Sequence, residues 1–545
     1  MKLLDRFRLA VDKDSTRPDW VVLDLHGPYH AYRSADPIQT LLRQADSLEG
    51  LTDRLRRLGE AEWVRGVLVR VGRFEGDLAT AHTIGHSLAR LSGRKRVVGY
   101  LPQVSMRSLL VTAGLDEVLA PESAEVQLPG FAAEQLFFGA FLDRHGITFE
   151  NLRIGEYKAA LTPFSESGMD EKNREQLTAY LESAEARWSA DVAEPRGAAG
   201  VPDANHVSAH QLLDAGLLTR VAYDDEICTV VDGDWQRALE LALPGTFGLK
   251  RGLGLRGRGG KDAKGEVAVV PVVGPIVTGR SRGMPTLPFT PGQQAGSDTV
   301  VAALRKADRD EDVKAIVLYV DSPGGSAVAS DLICRAVARA TTPVVAVMGP
   351  VAASGGYYVA AQADRVVADP YTITGSIGVV VGKPVLSGFD DAHGLRPEAV
   401  GRESALFASP HRPFSDADRT WAEQMMNDVY GRFVDRVATG RGLEPDRVDS
   451  LGRGRIWSGS DAAEVGLVDE LGGLEAGLDL ARRLGGLPED APAKPISHGF
   501  QLPGTPAFAV DPTALATDPV KALSGLWPFG SEVVLTWFDR AVTIR

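Results

Sequence analysis

The chain is written twice, and the two copies differ where chemistry would sit. Trp20–Pro28 reads WVVLDLHGP and Val267–Pro275 reads VAVVPVVGP. Gly27 and Gly274 of those Gly-Pro pairs are 247 residues apart, and Asp116 and Asp364, each in an Asp-x-Val stretch, are 248 apart. Gly66–Val71 mirrors Ala315–Val320, Val97–Tyr100 mirrors Val344–Val347, and Gln211–Val221 mirrors Ala462–Glu470. A near-constant offset over this many segments describes two similar domains in tandem, and so long a period excludes a solenoid.

Within each copy, short β-branched runs alternate with Ala-rich stretches. Ala315–Val320 and Val344–Val347 are uninterrupted apolar runs, the pattern of strands buried on both faces. Ser326–Ala340 between them has helical spacing, and strand, helix, strand predicts a crossover unit in a largely parallel α/β sheet. Phe414–Gly440 reads as a long amphipathic helix, with Ser415 as cap and Asp416 and Asp418 in its first turn; Met169–Ala193 is its mirror.

The expected organisation is a first domain over 1–242, a Gly-rich basic linker over 243–266, a second domain over 267–487 and a C-terminal tail over 488–545. With 545 residues, 44% of them hydrophobic and 24% charged, there is material for two or more cores. The net charge of −13 argues against nucleic acid as a partner. The two cysteines, Cys228 and Cys334, lie in apolar surroundings and read as buried thiols. Thr278–Ser297 is irregular, carries Met284, Leu287 and Phe289, and reads as a lid or an assembly contact. The tail, with its apolar Val533–Phe538, reads as a docking or membrane-surface segment. No signal peptide or transmembrane run is legible, so the expected location is cytoplasmic or peripheral to a membrane.

Three stretches carry the chemistry. Asp321-Ser-Pro-Gly-Gly325 follows a buried strand, and its paired glycines let backbone N–H groups approach a ligand closely. Ser354 follows the next strand among small residues, AASGGYY, where the N–H of Gly355 would be a second oxyanion donor. Lys158 lies in GEYKAALTPF, apolar enough to hold an amine neutral as a general base. Each alone has a plain explanation: a tight capped turn, a small-residue helix start, a solvated surface lysine. The reciprocity favours a site. The first copy has Phe74-Glu-Gly76 for the glycine pair and slips by a residue around Ser354, leaving Met106 or Arg107 opposite; the second has Ser404 where Lys158 would fall.

These motifs, with TGSIGV at Thr374 and DAAEVGLVDELGG at Asp461–Gly473, resemble the signal peptide peptidases of the protease IV type in their long tandem form, from about Trp20 to Leu487. The resemblance implies two tandem crotonase- and Clp-protease-like domains of ββα units, and a serine endopeptidase with a Ser/Lys dyad. Ser354 would be the nucleophile, Lys158 the base, Ser376 the residue that orients the lysine, and Gly355 with Gly324 or Gly325 the oxyanion hole. It implies peptide substrates such as signal-peptide remnants or other unfolded apolar peptides, a bowl-shaped homo-oligomer (a tetramer), and peripheral membrane contact. No cluster has metal-ligand spacing, and neither metal nor organic cofactor is expected. Two other readings are a crotonase-like acyl-CoA enzyme, since that fold also stabilises oxyanions, and a non-catalytic membrane-associated scaffold.

Overall fold

In the computed structural model, the repeated apolar runs become two largely parallel sheets that share one strand order. One runs Leu239–Glu240, Trp20–Gly27, Gly66–Phe74, Arg96–Tyr100, Glu117–Ala120, Arg220–Val221. The other is eight-stranded; its matching path runs Ala493–Pro495, Glu266–Val273, Val313–Ser322, Val344–Ala353, Arg365–Ala368, Glu470–Leu471, and from Val344–Ala353 it also extends through Ile373–Gly375 to an antiparallel Ile456–Ser458. All pairings along the two matching paths are parallel. The structure describes residues 20–27, 29, 47–62, 64–198, 208–224, 226–227, 239–240, 265–283, 293–496, 534–536 and 542–544. Almost all of the expected linker, Cys228, 284–292 of the irregular stretch and most of the tail lie outside these residues.

The chain divides into two compact units, but not at the middle of its sequence. One unit is Met1–Pro129 with Trp188–Gly259; the other is Gly130–Arg187 with Gly260–Arg545. The repeat in the sequence puts 130–187 in the first domain, 1–242. The strand pairing of this segment explains why it groups with the second. Thr148–Ile154 runs antiparallel to Val379–Val385 along seven consecutive residue pairs, from Thr148↔Val385 to Ile154↔Val379. The helix Glu171–Trp188 adds side-chain bonds within the same unit: Tyr180 Oη donates to Tyr371 O at 2.9 Å, and Ser183 Oγ lies 2.8 Å from Ser458 Oγ.

In the second unit, Val313–Ser322 and Val344–Ala353 are buried nearly end to end, as uninterrupted apolar runs require. The helix between them, Ala327–Arg339, starts at Ser326, whose side chain accepts from the Ala329 N–H. The long helix is Asp416–Arg441, opened by a capping box of Ser415 and Asp418 and closed by Gly442 at φ 63°. Cys334 is a buried thiol. A second sheet of this unit orders Arg282–Gly283, Gln293–Gly296, Ile276–Val277, Gly324–Ser326, Val534–Thr536, Val379–Val385 and Thr148–Ile154. The tail strand Val534–Thr536 thus pairs with both the glycine strand and Val380, antiparallel to each.

Candidate active site

Ser354 is the single residue between the end of Val344–Ala353 and the start of the short helix Gly355–Ala360. Its backbone has φ 56° and ψ −115°, unusual for a residue with a Cβ, and its side chain makes no capping bond. The strain is held from both sides: the Ser354 N–H donates to Gly375 O at 2.8 Å, and Ser354 O accepts from the Tyr358 N–H at 2.8 Å. Glycines clear its surroundings. A Cβ on Gly356 would stand 2.4 Å from Ser322 O, and one on Gly355 would stand 2.6 Å from Ser330 Oγ and 3.1 Å from Gly325 N.

The glycine strand Gly324–Ser326 lies beside this turn. Gly324 and Gly325 have φ 101° and 155°. A Cβ on Gly325 would stand 2.0 Å from Ile276 O, so only glycine fits there. The Gly324 N–H donates to Ser322 Oγ at 3.1 Å. The Gly325 N is the atom of the other expected donor that a Cβ on Gly355 would approach, at 3.1 Å.

Lys158 follows the strand Thr148–Ile154 and is 1% exposed, while Ser354 and Ser376 are fully buried. Its Nζ lies 2.6 Å from Ser354 Oγ and 3.0 Å from both Ser376 Oγ and Ser376 O. Burial holds the amine well below the ordinary lysine range, because the charged form would lose its water. Ser376 itself has φ 52°, and its N–H donates to Arg455 O at 2.6 Å. All six residues expected of the site therefore belong to one unit, including Lys158 from the first half of the sequence. Ser404, which aligns with Lys158 in the second copy, is exposed on the turn Glu403–Leu406.

The sequence reading missed what holds the lysine loop. Gln176 is buried; its Nε2 donates to Tyr157 O at 3.0 Å and its Oε1 accepts from the Ile456 N–H at 3.1 Å. The segment Gly452-Arg-Gly-Arg455 packs on the same loop, and its two glycines were the one legible signal of an unusual backbone. Among the described residues, no group of three or more His, Cys, Asp or Glu could hold a metal ion, and no helix is long and apolar enough to cross a membrane.

A strained serine beside a glycine strand, on a largely parallel α/β sheet, fits a nucleophile, and the comparisons give its class as a serine-type peptidase. The model of Peptidase family S49 matches residues 89–232 and 336–487, and that of Clp protease matches 289–370. The chain is 30% identical over 469 residues to "Serine protease SPPA, chloroplastic" of Arabidopsis thaliana, spanning 83% of this chain and 68% of that protein. It is 29% identical over 449 residues to "Protease 4" of Haemophilus influenzae (77% and 70%) and 28% over 502 residues to "Protease 4" of Salmonella typhi (88% and 78%). Among solved structures, a ClpP1 mutant of Listeria monocytogenes overlays at a TM-score of 0.25 and 15% identity, covering 38% of this chain and 94% of that one, too distant to carry weight. The chain belongs to peptidase family S49.

Proposed function

We propose that this serine peptidase is an endopeptidase working through a Ser354/Lys158 dyad on extended, unfolded peptides. The observation that carries this is the buried Lys158 amine 2.6 Å from Ser354 Oγ. An uncharged amine has two N–H groups and one lone pair. Its donors match Ser376 O and Ser376 Oγ, and its lone pair then faces the Ser354 hydroxyl.

In this reading Lys158 takes the proton as Ser354 Oγ bonds to the scissile carbonyl carbon. The N–H groups of Gly355 and Gly325 hold the oxyanion. The C–N bond then breaks, and Lys158 returns its proton to the leaving amine. Water, with Lys158 again as base, adds to the ester; the ester bond breaks, freeing the acid and Ser354. The pairing of Val534–Thr536 with both Gly324–Ser326 and Val380 supports an extended strand as what that edge accepts. Signal-peptide remnants and other apolar peptides enter as substrates through the family resemblance. So do homo-oligomer assembly and peripheral membrane contact; the exposed Leu136, Phe141, Val328 and Leu332 are apolar side chains an assembly would cover.

The test is cleavage of casein and of an apolar peptide by wild type, Ser354→Ala and Lys158→Ala, with fluorophosphonate labelling alongside. Both variants should fold normally, lose activity by at least about 1000-fold and, for Ser354→Ala, lose the label. Near-normal cleavage by Lys158→Ala would remove Lys158 from the mechanism.

A further inference from the structure

The segment Gly452–Arg455 contributes no reacting atom, yet the backbones of Tyr157, which precedes the base, and of the lysine-orienting serine both bond to it. The Tyr157 N–H, next to Lys158, donates to Arg453 O at 3.0 Å. The Gly454 N–H donates to Ile377 O at 2.7 Å, and the Ser376 N–H donates to Arg455 O at 2.6 Å. From Ser376, the Ser354 N–H is one residue away, on Gly375 O. A backbone path thus runs from base to nucleophile through this segment.

Glycines let the layers touch. Gly454 has φ +82°, and a Cβ there would stand 2.5 Å from Lys158 N and 2.6 Å from both Lys158 Cα and Cβ. Those atoms are not the free end of a side chain, so the lysine's own backbone would have to move. On one side, a Cβ on Gly378 would stand 2.9 Å from Gly454 Cα; on the other, a Cβ on Gly155 would stand 2.2 Å from Arg453 C. Arg453 takes φ 50° despite its side chain. It is pinned there by its N–H to Tyr430 Oη at 3.2 Å and by its guanidinium to Asp449 Oδ2 at 3.1 Å, while Tyr430 Oη donates to Asp449 Oδ1 at 2.7 Å. Gln176 braces the stack from the outside by holding Tyr157 O and the Ile456 N–H at once.

A lysine side chain has four soft torsions, so three contacts at Nζ do not by themselves fix where the amine stands. We propose that Gly454 is a positioning residue for the dyad, with Gln176 as its brace. Together they set the height of the Lys158 backbone over Ser376, and through it the Nζ–Oγ separation. This inference rests on the Ser354/Lys158 reading.

The experiment compares Gly454→Ala, Gln176→Ala, Gly442→Ala and Lys158→Ala for kcat, KM and the pH dependence of kcat on one peptide, with melting curves. Gly454→Ala should lower kcat about 100-fold, with KM within about twofold, since a shift of an ångström at a reacting group costs that much. As water reaches the displaced amine its charged form is favoured, so the acidic limb of kcat, where activity rises as the base loses its proton, should move to higher pH. Gln176→Ala should lower kcat about 10-fold and shift the same limb in the same direction, without any positive-φ cost. Gly442→Ala, at φ +63° with nothing within 4 Å of its Cβ position, should melt earlier and leave kcat and the pH limb alone. If Lys158→Ala is inactive while Gly454→Ala and Gln176→Ala keep wild-type kcat and pH limb, the positioning role is wrong and the dyad stands. If Lys158→Ala stays active, the dyad reading itself falls. Should Gly454→Ala fail to fold, Gln176→Ala decides: a lower kcat with a shifted limb supports the inference, and wild-type behaviour overturns it.

Discussion

Ser105 and Ser354 stand at matching turns of the two units and are used in opposite ways. Gln103–Ser105 pairs with Glu125–Gln127 as Val351–Ala353 pairs with Ile373–Gly375, so the ladder register sets Met106 opposite Ser354. In the first unit the helix Met106–Val111 starts at once. Ser105 caps it at φ −135°, with its Oγ accepting from the Ser108 N–H at 3.1 Å. In the second unit one more residue intervenes before the helix. That residue is Ser354, at φ 56° and capping nothing. The one-residue slip in the sequence alignment is this difference. A serine oxygen spent on a helix cap is tied to the backbone, whereas one held out of the cap by strain is available to an amine. The same register sets buried Leu128 opposite Ser376.

The strongest way to break the contrast is to make the second turn as crowded as an ordinary one. Gly355→Ala puts a methyl 2.6 Å from Ser330 Oγ and 3.1 Å from Gly325 N, displacing one proposed oxyanion donor against the other. We expect kcat to fall about 100- to 1000-fold, with fluorophosphonate labelling slowed in parallel and the melting curve little changed. Unaltered labelling would mean that the Gly355 and Gly325 N–H groups do not form the oxyanion hole. Next in size is Ser376→Ala, which takes this position towards the apolar residue of the first unit. It removes one of the two oxygens at 3.0 Å from Lys158 Nζ and leaves the carbonyl. A kcat lower by about 10-fold at constant KM is expected. No change would assign the lysine's orientation to the Ser376 carbonyl alone.

What was legible in the sequence follows the range of the contacts. Ser354, Gly324, Gly325 and Gly355 lie in local signatures, because a strained turn and a close backbone approach demand glycines next to the residue they serve. Lys158 was legible only by comparing the copies, since one lysine among apolar neighbours is an ordinary sight. Ser376 came from the family resemblance, not from its own surroundings. The grouping of 130–187 with the second unit was not legible, because it depends on Thr148–Ile154 finding Val379–Val385 far along the chain. Gln176 was illegible for the same reason, and Gly454 signalled an unusual backbone without showing what it serves. A glutamine in a helix and a Gly-Arg-Gly turn acquire meaning only from what they meet.

The burial on which the proposed role of Lys158 as base depends should also cost stability. With its folded-state pKa depressed, the unfolded chain binds a proton that the folded chain lacks, so stability rises with pH up to the ordinary lysine value of 10.5. Lys158→Met keeps the volume and removes the titration. At pH 7 the variant should melt above wild type, and the gap should close as pH approaches 10.5. A variant less stable than wild type across that whole range would mean that the three contacts at Nζ outweigh the burial.

The smallest effect tests the first unit on its own terms. If Ser105 is only a cap, Ser105→Ala removes the bond to the Ser108 N–H and should destabilise its unit by about 1 kcal/mol, read as an earlier melting or denaturant transition. Peptide cleavage and fluorophosphonate labelling should match wild type, because the proposed nucleophile and base, Ser354 and Lys158, both belong to the other unit. Loss of cleavage by a fully folded Ser105→Ala would give the first serine a chemical use. The contrast between a capping serine and a strained one would then no longer explain why the two turns differ by one residue.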